Sequence, residues 1–278
     1  RSRKIIFLRK PGRDFSLLSS YRPICLLEIN YKILSSILSE RLKSYIPQVI
    51  SHHQFAYQSG KSAALASRTI LDIKNIILKN DIKACLISVD FSSAFDLISH
   101  TFCREALLFL KFPEFLINKI LFLIKQPIAT LIINNKQTEF FNQSPRGSGQ
   151  GDPISSGLFL ICIQILIIYL AYSPNFPRPT LSYSAADANV DAMEATIATN
   201  IANPNIVTLS LGPTVFADDI QLFCSTIIPE NIDNVINTID EFSSISNLKL
   251  NKRKTEVMFL NSSDESIARA NFHNLKIV

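Results

Sequence analysis

No Cys-x-x-Cys pair occurs in this chain, and its five cysteines (Cys25, Cys85, Cys103, Cys162, Cys224) are scattered in apolar company. The four histidines show no metal-ligand spacing. A zinc site and a disulfide framework are both excluded, and reduced, buried thiols of a nuclear or cytoplasmic protein are expected. Glycine is scarce, with seven residues, so nucleotide-cradling loops are quickly checked. Ser59-Gly60-Lys61-Ser62 ends like a P-loop, but Phe55 stands where the first glycine must be. Gly147-x-Gly149 lacks the third glycine of a dinucleotide-binding turn, and no hydrolase nucleophile elbow is present. The apolar stretch 157–172 is shorter than the roughly 20 residues of a bilayer span and is broken by Gln164, so it reads as a core helix and no membrane partner is expected. Arg1-Ser2-Arg3-Lys4 carries neither Met nor a secretory pattern, and no internal repeat is evident.

Strong charge of one sign is also lacking: 28 basic and 23 acidic residues leave a net +5. The distribution is less even. Arg1, Arg3, Lys4, Arg9, Lys10 and Arg13 crowd the start, and Lys249, Lys252, Arg253 and Lys254 cluster late. Each run is either a solvated face or a phosphate-facing one. With 278 residues, 47% of them hydrophobic, the chain can build one large or two modest domains.

Periodicity places strands near 4–8 and 20–28, then a helix over 30–45 with Ile33, Leu34, Ile37, Leu38 and Leu42 on one face. Helices follow at 63–79, 102–110, 113–125, 154–172 and 230–246, and a closing strand at 256–260. Segments 128–133 and 138–141, joined by Asn134-Asn135-Lys136, predict a hairpin. Residues 173–213, rich in Ala, Asn and Pro, break this pattern and show little periodicity. Alternating strand and helix signals of this kind predict an α+β fold.

Two acidic segments stand out. Thr214-Val215-Phe216-Ala217-Asp218-Asp219-Ile220-Gln221-Leu222-Phe223 predicts a tight hairpin with Asp218 and Asp219 at its tip. Adjacent carboxylates there are either a solvated loop tip or the oxygen ligands of a divalent cation. Ile87-Ser88-Val89-Asp90 predicts a buried strand that ends on Asp90, either a capping aspartate or a third ligand if the two strands are neighbours. Between them, Arg146-Gly147-Ser148-Gly149-Gln150-Gly151-Asp152-Pro153 is a glycine-rich turn running into an apolar helix.

Taken in order, Val89-Asp90 through Ala94-Phe95-Asp96, then Arg146-Gly147-x-x-Gln150-Gly151-x-Pro153-x-Ser155, then Phe216-Ala217-Asp218-Asp219 resemble the core motifs of reverse transcriptases, in the style of non-long-terminal-repeat (LINE-type) retrotransposons. Lys10-Pro11-Gly12, Tyr21-Arg22-Pro23, Gln54-Phe55-Ala56-Tyr57-Gln58-Ser59-Gly60-Lys61-Ser62, and Asn247-Leu248-Lys249-Leu250-Asn251 with Lys254 resemble the flanking motifs, so the likeness covers about residues 4–260. It implies a right-hand polymerase with fingers over 1–85, containing a template segment at 54–62. A palm over 86–278 would hold a mixed antiparallel sheet flanked by helices, further fingers elements near 113–145 and the insertion 173–213, with no thumb. It also implies an RNA template, a DNA primer and deoxynucleoside triphosphates as partners, with no obligate protein partner evident.

By the same resemblance Asp90 and Asp218 carry two Mg²⁺ (or Mn²⁺) ions, the Phe91 carbonyl adds a ligand, Asp219 is the more dispensable catalytic neighbour and Asp96 is structural. Lys10, Arg22, Ser93, Ala94, Phe95, Gln150 and Lys254 meet the nucleotide; Gln54, Gly60 and Lys61 meet the template. Phe95 is either a gate against ribose 2′-hydroxyls or a core ring, and Lys254 either protonates pyrophosphate or contacts phosphate. Ser93 replaces the usual Lys, Ala56-Tyr57 the usual Gly-Phe, Lys61 the usual Arg and Gly157 the usual Pro. The alternatives are a non-catalytic nucleic-acid-binding relic, or a group II intron or telomerase-like relative.

Overall fold

In the computed structural model, residues 2–92, 94–125, 128–142, 146–173, 175–184, 196–199 and 206–278 are described. Contacts divide the chain into two compact units. The first comprises Arg1–Val49, Ser93–Cys162 and Ile245–Leu248; the second comprises Ile50–Ser92, Ile163–Ser244 and Lys249–Val278.

The second unit is organised by one sheet. Its strands run in the order Thr214–Phe216, Asp219–Ser225, Ala84–Val89, Glu256–Leu260, Lys276–Ile277. The first four are mutually antiparallel and the last is parallel to its neighbour. Ala84–Val89 is central, and Ala84, Cys85, Ile87 and Val89 are all buried, as a strand covered on both faces requires. Helix Ala63–Lys79 packs on the sheet through Ile73 and Ile77, which join Ala84, Phe223 and Leu260 in one core cluster. Each fully buried aliphatic side chain there contributes roughly 1.5–3 kcal/mol. Ser62 caps this helix by accepting from the Leu65 amide at 3.2 Å, so the Gly60-Lys61-Ser62 run is a helix start.

Two features of this unit escaped the sequence. Helix Asp264–Phe272 and strand Lys276–Ile277 follow the strand expected to close the fold. That helix buries only Ser266 and Ala270, small residues that leave no hydrophobic period, while Asp264, Glu265 and Arg269 complement its dipole. Within 173–213, strands Thr180–Ser184, Ile206–Ser210 and Thr196–Thr199 form a three-stranded antiparallel sheet. The insertion expected there thus contains strands that its lack of periodicity did not announce. Residues 174, 185–195 and 200–205, where the rest of that expectation falls, lie outside the described residues. Arg178 ties the segment down, donating to the carbonyls of Leu170 and Ser173 and to Ser210 Oγ.

In the first unit, Ser2–Arg9 and Tyr21–Leu27 form an antiparallel hairpin, and Ile128–Ile133 runs parallel to Ser2–Arg9. The Asn134-Asn135 turn that follows has φ of +50° and +61°, so it is a two-residue primed turn and Lys136 already belongs to the return strand. Helices His100–Phe109 and Glu114–Ile124 pack against each other.

Helix Ile29–Val49 runs past Pro47, because Ile46 and the following Ile50 are buried and anchor its last turn. Its buried stripe is Tyr31, Ser35, Leu38, Leu42 and Ile46, whereas Ile33, Leu34 and Ile37 are exposed, contrary to the apolar face expected. The reason is a buried carboxylate. Asp152 accepts from Tyr31 Oη at 2.5 Å, from Ser35 Oγ and from Arg3 Nη2 at 3.2 Å, so the inward face of the helix must supply hydroxyls. Helix Ser155–Tyr172 is the one described helix long and apolar enough to cross a membrane, and 67% of it is buried within the protein, as a core helix would be.

Candidate active site

Strands Thr214–Phe216 and Asp219–Ser225 pair with Phe216 opposite Asp219, which leaves Ala217 and Asp218 as a two-residue loop. Ala217 has φ +57°, the positive value that a primed hairpin turn demands at its first loop position. Asp218 therefore sits at the tip, half-buried, and Asp219 begins the return strand, exposed. The return strand pairs with Ala84–Val89, ending at Ile220 opposite Val89. One further step in the same register sets Asp219 opposite Asp90, where Cα atoms lie about 4.5–5.5 Å apart. Three carboxylates thus gather at one end of the sheet.

Their electrostatics agree. Burial, then the charges of Asp219 and Asp90, push the Asp218 carboxyl above the usual carboxylate range, against a backbone hydrogen bond that lowers it. Burial and the Asp90 charge do the same to Asp219. On the other side of Asp90 runs Glu256–Leu260, with Glu256 opposite Ser88, so Lys254 falls two steps further on, beside Asp90. Lys254 Nζ lies 3.7 Å from Asp90 Oδ2, too far for a hydrogen bond, and Oδ2 is buried with no hydrogen-bond partner. The Asp90 backbone is fixed on both sides: its N–H donates to Thr255 Oγ1 at 3.4 Å and its carbonyl accepts from Asn251 N at 2.8 Å. Phe91 pairs with Leu250 in a two-residue ladder beside it.

A buried carboxylate oxygen with no hydrogen-bond partner, beside two carboxylates of raised pKa and with Lys254 as its nearby cation, is a set of hard oxygen donors suited to a divalent metal ion. Among the described residues no three His, Cys, Asp or Glu side chains form a finished metal cage.

The remaining expected site residues divide by unit. In the second, Gln54 is fully buried and its side chain faces the hairpin turn, so it has no surface left for a template; that expectation is corrected. Lys61 Nζ donates to the carbonyls of His52 and Gln54, and Gly60 is exposed with φ +76°. His53, whose imidazole is driven down to about 3 by burial and neighbouring positive charge, lines a cavity of about 340 Å³ with Phe55, Leu211 and Thr214.

In the first unit, Lys10 Nζ donates to the Ser19 carbonyl and Arg22 is exposed on the hairpin, opposite Leu8. Phe95 lies on the short helix Ala94–Leu97 and stacks on Phe159 with ring centroids 4.5 Å apart. Ser93 is outside the described residues. Gln150 Nε2 donates to Asp96 Oδ2 at 2.8 Å, and burial pushes the Asp96 carboxyl up. The glycine-rich turn is held closely: a Cβ on Gly147 would meet the Asp96 carbonyl at 2.6 Å, and one on Gly149 would meet Arg3 Nη1 at 2.8 Å.

Comparison with known proteins gives the decisive observation. Residues 8–275 match the family described as reverse transcriptase (RNA-dependent DNA polymerase). The chain belongs to the reverse transcriptase family. This reverse transcriptase domain is 25% identical over 168 residues to the transposon TX1 uncharacterized 149 kDa protein of Xenopus laevis, covering 60% of the chain and 13% of that protein. It is 35% identical over 94 residues to the retrovirus-related Pol polyprotein from type-1 retrotransposable element R1 of Bradysia coprophila, covering 33% of the chain and 9% of that protein. These relatives are retrotransposon proteins, in line with the LINE-type resemblance, and the domain spans about a tenth of their length. Among solved structures, telomerase of Candida albicans in complex with a fragment of telomeric RNA superposes with TM-score 0.57 at 13% identity, over 94% of this chain and 43% of that one. Apo telomerase of Candida tropicalis, truncated from its C-terminal domain, gives TM-score 0.57 at 11% identity, over 94% and 51%. At such identities the likeness shows the fold, an α+β polymerase fingers–palm.

Proposed function

We propose that this reverse transcriptase domain is the fingers–palm core of an RNA-directed DNA polymerase that extends a DNA primer on an RNA template with deoxynucleoside triphosphates. The observation that carries this reading is the register that ends with Ile220 opposite Val89 and so brings Asp219 beside Asp90, whose buried Oδ2 has no hydrogen-bond partner and faces Lys254 Nζ at 3.7 Å. Asp90 and Asp218, with the Phe91 carbonyl, would hold two Mg²⁺ (or Mn²⁺) ions, which when bound lower the pKa of the primer hydroxyl and neutralise charge on the leaving pyrophosphate. Asp218 and Asp219, raised in pKa, gain most when cations are near. Lys254 holds a positive charge beside Asp90 and would pass it to a triphosphate when the carboxylate is otherwise satisfied. Lys10, Arg22 and Gln150 are assigned to the nucleotide and Gly60 and Lys61 to the template strand. The fingers are assigned to 1–85 with elements near 113–145, and the palm to the rest of 86–278.

Asp90→Asn in the intact protein should reduce Mg²⁺-dependent extension of an oligo(dT) primer on poly(rA) by at least about a thousandfold, roughly 4 kcal/mol of transition-state stabilisation. Extension within tenfold of wild type would overturn the assignment. Phe95 is read as the sugar gate: a ring under the incoming sugar excludes a 2′-hydroxyl by overlap. Phe95→Val should raise ribonucleotide incorporation while sparing deoxynucleotide use, measured as the ratio of the two kcat/KM values. An unchanged ratio makes Phe95 an ordinary partner of Phe159.

A further inference from the structure

We propose that Gln54 is a positioning residue that sets the Ala217-Asp218 turn, and with it the direction of the Asp218 carboxylate. Its side chain is fully buried, and every polar atom of it faces backbone. Oε1 accepts from the Ala217 N–H at 3.0 Å and from the Ala56 N–H at 2.9 Å, while Nε2 points at the Ala217 carbonyl at 3.5 Å. Gln54 and Ala217 are 163 residues apart in sequence, so the contact is a tertiary device and no local turn motif.

The segment that carries Gln54 is fixed to the same hairpin. Phe55 N donates to the Val215 carbonyl at 2.7 Å and Val215 N donates to the His53 carbonyl at 2.9 Å, a short parallel bridge. Lys61 Nζ and Gln58 Nε2 both donate to the Gln54 carbonyl, which ties the loop to its own glutamine.

The turn needs such support. Ala217 carries a Cβ at φ +57°, a conformation that L-residues enter at a cost, and it is 7% exposed. Its N–H would be buried and unpaired without Gln54. Gln54 touches both peptides that flank Ala217, the one before it through the N–H at 3.0 Å and the one before Asp218 through the carbonyl at 3.5 Å, so rotation about Ala217 re-aims the carboxylate. As a metal ligand Asp218 belongs to the polymerase reading above, and the positioning role rests on it.

Two measurements separate the clamp from that reading. Amide hydrogen exchange of the chain should show Ala217 protected, and Gln54→Met should expose it while the amides of Ala84–Val89 keep their protection. Gln54→Glu, which retains the acceptor oxygen, should restore protection at Ala217. Equal Ala217 protection in wild type and Gln54→Met overturns the clamp whatever the ions do; should Gln54→Met fail to fold, the Gln54→Glu result decides the same point. In parallel, Mn²⁺ titration followed by electron paramagnetic resonance should show about tenfold weaker binding in Gln54→Met, equivalent to ~1.4 kcal/mol, and stronger loss in Asp218→Asn. Lost protection with unchanged Mn²⁺ affinity removes the positioning role and leaves a structural contact. Wild-type Mn²⁺ binding that ignores Asp218→Asn overturns the metal reading itself, and the positioning role with it.

Discussion

Asp218→Asn is expected to make the protein more heat-stable in metal-free buffer at pH 7.5 while abolishing Mg²⁺-dependent synthesis. The carboxyl of Asp218 is held above the usual range by burial first and by the charges of Asp219 and Asp90 after it. A carboxyl raised in the folded state ionises earlier in the unfolded chain, near 3.9. Its contribution to stability is therefore intact below that value and is lost as pH climbs through the raised folded pKa. At pH 7.5 the whole penalty stands, softened by solvent because the group is only half-buried. Removing the charge should raise Tm by roughly 2–4 °C, the response of a chain this size to about 1 kcal/mol. The difference between variant and wild type should shrink as pH falls and vanish below about 3, where both states of Asp218 are protonated. Comparing the two proteins at each pH cancels the parallel titration of Asp96 and the opposing ones of His53 and His100. Millimolar Mg²⁺ should then reverse the order, because only the wild type gains binding energy in the folded state. A variant that melts below wild type without metal, or that gains equally from Mg²⁺, would show that Asp218 is an ordinary turn residue.

That trade of stability for charge was partly readable in advance. The hairpin was legible because Val215, Phe216, Ile220, Leu222 and Phe223 are strand formers on either side of two acids, whereas the pairing with the Asp90 strand was legible only as a condition, because strand neighbours 128 residues apart are chosen by the sheet. Sequence placed both acids at the tip, but the two-residue loop puts Ala217 and Asp218 there, because Phe216 pairs with Asp219. Gln54 was placed at a template because residues 54–62 resemble the family's template segment, and nothing local announces a hydrogen bond to Ala217. A signal existed: a glutamine between His53 and Phe55 in a stretch buried from 53 to 56 needs internal partners. The face of helix Ile29–Val49 was misread for the converse reason. Apolar periodicity counts isoleucines, whereas the buried face was chosen by the hydroxyls that Asp152 requires. Polar burial is set by a distant partner, so it has no period.

Asp152 is accordingly the residue whose loss should cost the first unit most. Its side chain is completely buried and that of Arg3 is 3% exposed, with Nη2 and Oδ2 3.2 Å apart. Tyr31 and Ser35 satisfy the other lone pairs, the Ile154 N–H approaches Oδ1 at 3.4 Å, and the Arg3 guanidinium lies 5.2 Å from the Tyr31 ring centroid. Burial and the Asp152 charge push the Tyr31 phenol far up, so it stays a donor. Asp152→Ala would leave a guanidinium buried without a counter-charge, with Arg3 Nε already lacking a partner. Breaking a pair of this kind costs about 3–5 kcal/mol, which in a chain of this size lowers Tm by roughly 6–20 °C. Asp152→Asn keeps an acceptor for Tyr31 and Ser35 but drops the charge, so it should fall between Ala and wild type. The double variant Arg3→Met, Asp152→Leu removes both charges together and should lose less than Asp152→Ala alone, because no unpaired ion remains. Urea unfolding of wild type, Arg3→Met, Asp152→Leu and the double variant reads the cycle directly. Additive losses would mean that the pair contributes only packing. The same variants bear on the site through the turn that Asp152 ends: Gly149 leaves room for Arg3, Gln150 reaches Asp96, and the Gln150 carbonyl accepts from Cys25 N at 2.8 Å. Nucleotide use should therefore decline in Asp152→Asn at temperatures where the domain is still folded, since Gln150 is positioned by the turn that Asp152 anchors.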